Sequence, residues 1–248
     1  MPPLCLHLGI AKEAAAKLSH PVIERNLGNY LFGSTLPDVH IITGAARQET
    51  HFFDLEKEHC ESGVKQLFES HPYLAKGTQL SESTSAIVAG YLSHLIIDEI
   101  WIIDIYRPFF GPSSPLADDP MANILDRVLQ YELDIRERLD MAKMKVIREE
   151  LNRWDSRAII GFIDTPTLEQ WWELVTGAVE RPPDWSLFPF FAQRFLIPRQ
   201  KVAPKELERL LASLPTMLER TIQYVTPQRL EGFREKAIAE SVGMAGEY

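Results

Sequence analysis

IVAGYLSHLIIDEIWIIDIY, which spans residues 87–106, is the most apolar stretch of the chain. Ionisable residues interrupt it at His94, Asp98, Glu99 and Asp104. A helix that spans a lipid bilayer resists so many ionisable groups, because each of them would have to leave water for hydrocarbon. We therefore expect this stretch to form a buried helix of a soluble protein, and we expect no transmembrane segment.

Helical spacing of apolar residues also dominates the sequence on both sides of this stretch. It predicts helices over residues 8–18, 22–32, 51–68, about 81–106, 121–154 (two or three helices), 165–179 and 205–242 (two helices split near Pro227), with an irregular loop over 34–49. Strictly alternating apolar and polar residues between turn dipeptides are missing, which argues against a β-sheet. We expect an all-α fold with a single multi-helix domain over residues 1–248.

Composition and charge exclude several classes of protein. The chain has 248 residues, of which 45% are hydrophobic and 25% are charged, and its formal net charge is -9 at pH 7. Such a composition excludes a disordered or fibrous chain, and the length suffices to bury a core without disulfides. The negative charge argues against a nucleic-acid partner, because long-range attraction to phosphate backbones needs positive charge.

The cysteines and the first residues bear on the cellular compartment. Cys5 and Cys60 do not make a disulfide framework, which is typical of reduced thiols in a cytosolic protein. The start of the sequence lacks the basic segment and the long apolar run of a secretory signal. We therefore expect a cytoplasmic protein, whose oligomeric state the sequence leaves open.

The histidines concentrate the candidate chemistry near the N-terminus, because all seven lie within the first 94 residues. His94 and Asp98 are four residues apart, so they lie on one face of a helix. Their neighbours are apolar, and a buried carboxylate is costly unless it is paired or binds a metal. Two interpretations follow: a metal site, or a hydrogen-bonded His–Asp pair that holds the helix to its neighbours.

Three further residues favour the metal site. Asp38 follows Pro37 in a stiff loop, His51 opens an apolar segment, and His7 lies among apolar residues of the first predicted helix. With His94 and Asp98 they make a mixed set of imidazole and carboxylate ligands, which suits zinc or another divalent transition metal. These motifs lie within residues 1–110, whereas residues 120–248 are predicted to add further helices.

The same residues resemble the zinc-dependent phospholipase C family, whose all-helical fold is shared with fungal single-strand nucleases. The resemblance covers about the first 105 residues and consists of His7 before Ile10-Ala11, Gly33 with Pro37-Asp38, Thr50-His51-Phe52, and Gly90-Tyr91-Leu92-Ser93-His94 with Asp98. It implies that Asp38, His51, His94 and Asp98 bind one metal, that Asp98 bridges to a second metal bound by His7, and that Asp38 is the general base. It also implies that metal-bound water hydrolyses a phosphate ester, for which a lipid headgroup is one candidate.

The chain departs from that family because no histidine follows His94. Secreted members place two further histidines and a glutamate there, so we expect one or two ions here instead of three. Asp126, Glu132 or Asp134 on the next helix are alternative ligands. Two alternative functions stay open: an HD-type nucleotide phosphohydrolase, and a non-catalytic helical scaffold that holds a structural metal or a buried His/Asp network.

Overall fold

A computed structural model describes residues 3–53, 62–119, 121–158, 160–186, 188–191 and 204–248. His59 and Cys60 lie outside these residues. The described chain is built from helices and contains no strand, which confirms the predicted all-α class. The main hydrophobic cluster draws buried side chains from the first helix to the last, and a smaller cluster joins Ile124, Val128 and Phe188.

The helices are α1 (Leu4–Leu18), α2 (Pro21–Arg25), α3 (Leu27–Gly33), α4 (His40–Thr43), α5 (Gln48–His51), α6 (Gly63–Ser70), α7 (Glu82–Ile100), α8 (Arg107–Phe109), α9 (Ala122–Leu139), α10 (Met141–Leu151), α11 (Thr165–Val179), α12 (Phe188–Phe191), α13 (Pro204–Val225) and α14 (Pro227–Glu247). Short 3-10 helices span Leu36–Val39, Pro72–Leu74 and Gly77–Gln79. A π-helical turn, Trp101–Tyr106, continues α7.

Helix α7 lies at the centre of the fold and is buried along almost its whole length. Helices α3 and α14 pack against it. Glycine lets α3 come unusually close, because a Cβ added to Gly90 would lie 2.0 Å from the carbonyl oxygen of Tyr30. At the start of α7 the Ser81 hydroxyl accepts a hydrogen bond from the backbone N–H of Thr84, as expected for an N-cap serine. This packing fixes the position of His94 and Asp98 relative to α1 and α3.

The continuous stretch Glu82–Phe109 is long and apolar enough to cross a membrane by length and composition, and it is the one such stretch in the described residues. Of its most apolar window, 89% is buried inside the fold. Its apolar side chains therefore contact other helices of the same chain, which is the environment predicted for residues 87–106.

Local structure differs from the prediction in three places. The predicted helix over 22–32 is interrupted at Asn26, whose side-chain amide donates to the carbonyl oxygen of Val22 and competes with the helical hydrogen bond. The predicted loop over 34–49 instead contains the turn Leu36–Val39 and helix α4. His51 ends helix α5 instead of opening a longer one, because Phe52 adopts a left-handed conformation with φ of 57°.

Candidate metal centre

Four segments bring the five predicted site residues together. His7 comes from α1, Asp38 from the 3-10 turn, His51 from α5, and His94 and Asp98 from α7. All five are buried, and Asp38 is the most exposed of them at 8%. Their ligand atoms form two overlapping groups, His7–His94–Asp98 and Asp38–His51–His94, whose members lie within 4.8 Å of one another. The structure thus brings all five predicted residues together in one cluster between helices.

The carboxylate of Asp98 lies at the centre of the cluster. Its Oδ1 is 3.4 Å from Nε2 of His7, and its Oδ2 is 3.3 Å from Nε2 of His51 and 3.5 Å from Nε2 of His94. Asp38 Oδ1 lies 3.5 Å from Nε2 of His51 on the other side. Asp98 is thus positioned to share a cation between His7 and the other two imidazoles.

Backbone carbonyls orient two of the imidazoles. His94 Nδ1 lies 2.8 Å from the carbonyl oxygen of Ser34, and His51 Nδ1 lies 3.3 Å from that of Arg47. A carbonyl oxygen only accepts hydrogen bonds, so Nδ1 of His94 carries a hydrogen. Nδ1 of His51 also lies 3.2 Å from the Thr50 hydroxyl. The Nε2 atoms of His51 and His94 are 3.3 Å apart, and a metal ion bound beside both rings would use these two atoms as ligands.

The His7 ring stacks on that of His94, with centroids 3.8 Å apart and planes 5° from parallel. Within the described residues, neither nitrogen of His7 has a hydrogen-bond partner, and neither does Oδ1 of Asp98. Buried polar atoms in folded proteins are nearly always hydrogen-bonded, and exceptions point to a missing water or ion. A cation close to His7 Nε2 and Asp98 Oδ1 would satisfy both atoms.

Burial and charge shift the pKa values of these groups in different directions. Burial, helped by the charge of His94, lowers the pKa of His7 to about 4, so this imidazole is neutral at pH 7. For His94, burial also lowers the pKa, but the Asp98 carboxylate outweighs it and the net pKa is raised. Burial raises the pKa values of Asp38 and Asp98, yet the histidines around them outweigh burial, so both pKa values are lowered and both carboxylates are ionised.

Two side chains outside the five predicted site residues lie near the cluster. Arg47 donates from Nη2 to Asp98 Oδ2 at 2.9 Å, with only 16% of its side chain exposed, and its guanidinium lies 4.9 Å from the centre of the Phe53 ring. His40 is half-buried and packs its ring edge-on against His51, with centroids 5.3 Å apart. In the sequence, the one feature that connects Arg47 with the cluster is its position four residues before His51, about one helical turn.

The alternative ligands on α9 have other partners. Asp126 accepts hydrogen bonds from Trp101 Nε1 and from the Gln130 side chain. Asp134 accepts from the backbone N–H of Cys5, and Glu132 pairs with Arg136. None of the three belongs to either ligand group found in the described residues. These three carboxylates therefore bond to other parts of the fold and do not extend the cluster.

Comparison of the chain with protein-family models, curated proteins and solved structures finds no match. What the cluster can bind is therefore inferred from its geometry alone. Its buried imidazoles and carboxylates could bind a metal ion.

Proposed function

We propose that this protein is a metal-dependent hydrolase of phosphate esters. One observation carries the proposal: buried imidazole and carboxylate groups from four segments converge. Nε2 of His51 lies 3.3 Å from Nε2 of His94, and neither nitrogen of His7 has a hydrogen-bond partner among the described residues. Imidazole and carboxylate ligands favour zinc, or another divalent transition metal, in one or two positions.

The five candidate ligands can be divided between two metal ions. Asp38, His51, His94 and Asp98 would hold one ion, and His7 with the other oxygen of Asp98 would hold a second. The carbonyls of Ser34 and Arg47 fix the two ring orientations, which is the usual means by which outer partners aim metal ligands. When bound, the ion would lower the pKa of a water molecule and stabilise negative charge on the phosphoryl group.

Asp38 is the group best placed to act on the attacking water. It is the most exposed member of the cluster, and its lowered pKa keeps it ionised at neutral pH. A carboxylate with such a low pKa is a weak proton acceptor, since the best general bases have pKa values near the working pH. Asp38 would therefore act mainly by orienting the attacking water through a hydrogen bond.

A divalent ion in the cluster would favour a phosphoryl group over a neutral ester, because the ion would attract the negative charge of the phosphoryl oxygens. The chain as a whole is acidic, so this attraction would be confined to the site.

Elemental analysis of protein purified without chelator tests the proposal first. We expect bound zinc or another divalent metal, and metal-dependent hydrolysis of bis(p-nitrophenyl) phosphate or p-nitrophenyl phosphate that is lost on chelation and restored on metal addition. Metal without hydrolysis of any phosphate ester would identify a structural metal. Absence of metal would identify a buried His/Asp network, and activity confined to nucleotides would favour the HD-type alternative.

A further inference from the structure

We propose that the cavity between α11 and the segment that follows α10 binds a guanidinium group. The cavity has a volume of about 330 Å³ and is lined by Asn152, Trp154, Ser156, Glu169, Trp172 and Glu173. None of these residues belongs to the candidate metal centre. The inference therefore goes beyond the proposed function and does not depend on it.

Two indole rings form the aromatic part of the cavity. The rings of Trp154 and Trp172 have centroids 6.3 Å apart and planes 26° from parallel. Trp172 Nε1 donates to the backbone carbonyl of Leu151 at 2.9 Å, and the Trp154 ring packs on Phe32 with centroids 4.6 Å apart. The fold thus holds both rings in place beside the cavity. The face of an indole ring attracts cations more strongly than that of any other aromatic side chain.

Two glutamates supply negative charge next to these rings. Glu169 and Glu173 are exposed and lie four residues apart, on one face of α11. Neither forms an ion pair within the part of the chain that the structure describes. Like charges at this spacing on a helix repel each other, so a cation bound between them would relieve the repulsion.

The arginines nearest the cavity in the sequence have carboxylate partners of their own. Arg153 Nη1 lies 2.6 Å from Glu150 Oε1. Arg157 Nε lies 2.9 Å from Asp155 Oδ1. The guanidinium groups on either side of Trp154 are thus paired elsewhere, and a ligand can supply the cation that the cavity lacks.

The lining favours a guanidinium over other organic cations. A guanidinium is planar, stacks on aromatic faces and donates hydrogen bonds in a fork that matches a carboxylate. A compact ammonium group is more strongly hydrated and has no flat face, and a fully methylated ammonium has no N–H to donate to a carboxylate. Trp154 Nε1 is buried without a hydrogen-bond partner among the described residues, so it can donate to an oxygen atom elsewhere in the same ligand.

Isothermal titration calorimetry with N-acetyl-L-arginine amide tests the inference. Two matched probes isolate its chemistry: the citrulline analogue has nearly the same shape without the charge, and the lysine analogue has the charge without the planar fork. The cavity variant combines Glu169→Gln with Glu173→Gln. The control variant combines Glu231→Gln with Glu235→Gln, which removes two exposed carboxylates at the same spacing on α14, away from the cavity lining.

We expect the cavity variant to bind the arginine probe roughly 10-fold more weakly than wild type, the size expected for two solvent-exposed ion pairs. The control variant should bind like wild type. In wild type the lysine probe should bind more weakly than the arginine probe, and the citrulline probe should not bind. Equal affinity of the two variants would overturn the inference. Equal affinity for the arginine and citrulline probes, or no binding by wild type at millimolar probe, would also overturn it.

Free L-arginine distinguishes two sources of the guanidinium group. Tighter binding of N-acetyl-L-arginine amide would assign the site to an arginine within a peptide chain, because free arginine brings a carboxylate close to the two glutamates. Tighter binding of free arginine would assign it to a small molecule, and either result supports a guanidinium site. Chelator-treated protein should bind the probe with unchanged affinity, so failure of the hydrolase proposal and failure of this inference are separate outcomes.

Discussion

Asp98→Asn is the substitution that tests the centre of the cluster. It keeps the size of the side chain and removes the negative charge that lies within 3.5 Å of three imidazole nitrogens and 2.9 Å from Arg47. We expect two separate losses. The metal-free protein loses one counter-ion of a largely buried arginine, and the metal-bound protein also loses the carboxylate that we propose binds both ions.

The sizes of these losses follow from burial and mass action. Breaking a buried ion pair by removing one partner costs about 3–5 kcal/mol, and the partial exposure of Arg47 places the expected cost near the lower end. A metal present at a thousand times its dissociation constant adds about 4 kcal/mol to the free energy of unfolding. For a chain of this size that corresponds to roughly 8–16 °C in Tm. Asp98→Asn should lose almost all of this metal-dependent increase.

Urea and thermal unfolding with and without added zinc measure both terms, and elemental analysis gives the stoichiometry. Asp126→Asn is the matched control, because Asp126 is also a buried aspartate but bonds Trp101 and Gln130. We expect this variant to be destabilised and still to gain the wild-type increase on metal addition. The assignment of Asp98 would be refuted if its asparagine variant kept the wild-type stoichiometry and the wild-type increase in Tm.

Three further predictions follow from the same geometry. His94→Ala should lower metal content sharply, while His71→Ala, which removes a half-buried ring stacked on Phe162, should leave it unchanged; elemental analysis showing equal metal in both would contradict the ligand set. Asp38→Asn should keep more metal than Asp98→Asn and lose turnover by about 100-fold or more; steady-state kinetics that match the wild type would exclude a role with the attacking water. The pKa of His7 is about 4 when folded, against an unperturbed 6.5. Its neutral form is favoured by folding, so metal-free protein should lose up to about 3 kcal/mol as the pH falls from 6.5 to 4. Urea unfolding measures this loss in chelator-treated wild type and His7→Gln, and the variant should lack it. Equal pH dependence of the free energy of unfolding in the two proteins would contradict the prediction.

The fold could be predicted where local signals agree with tertiary packing. In α7 the serine cap at Ser81 and the apolar run both favour one helix, and the structure contains it. Near Asn26 they disagree: apolar spacing continues through this residue, but its side-chain amide bonds the backbone and interrupts the helix. The short helices within 34–49 were missed because they are too short for helical periodicity to be visible.

The clustering of the candidate residues could be predicted because ionisable residues in apolar surroundings are uncommon enough to notice. His7, His94 and Asp98 each stand among apolar neighbours in the sequence, and the structure buries all three at 0% exposure. Arg47 and the carbonyl of Ser34 carry no comparable signal. An arginine in a polar segment is typical of a surface, and a backbone carbonyl is present at every residue, so only the three-dimensional arrangement identifies them.

The surroundings of His7 favour a metal site over a structural polar network. A structural network stabilises a core only when its members satisfy one another, and a partly satisfied network is worse than apolar packing. Here both nitrogens of His7 and Oδ1 of Asp98 lack hydrogen-bond partners among the described residues, and burial disfavours the protonated imidazole. A leucine at position 7 would avoid that cost if stability were the only role. The neutral imidazole, aimed from 3.4 Å at a carboxylate oxygen, is disadvantageous for packing and suited to receive a cation.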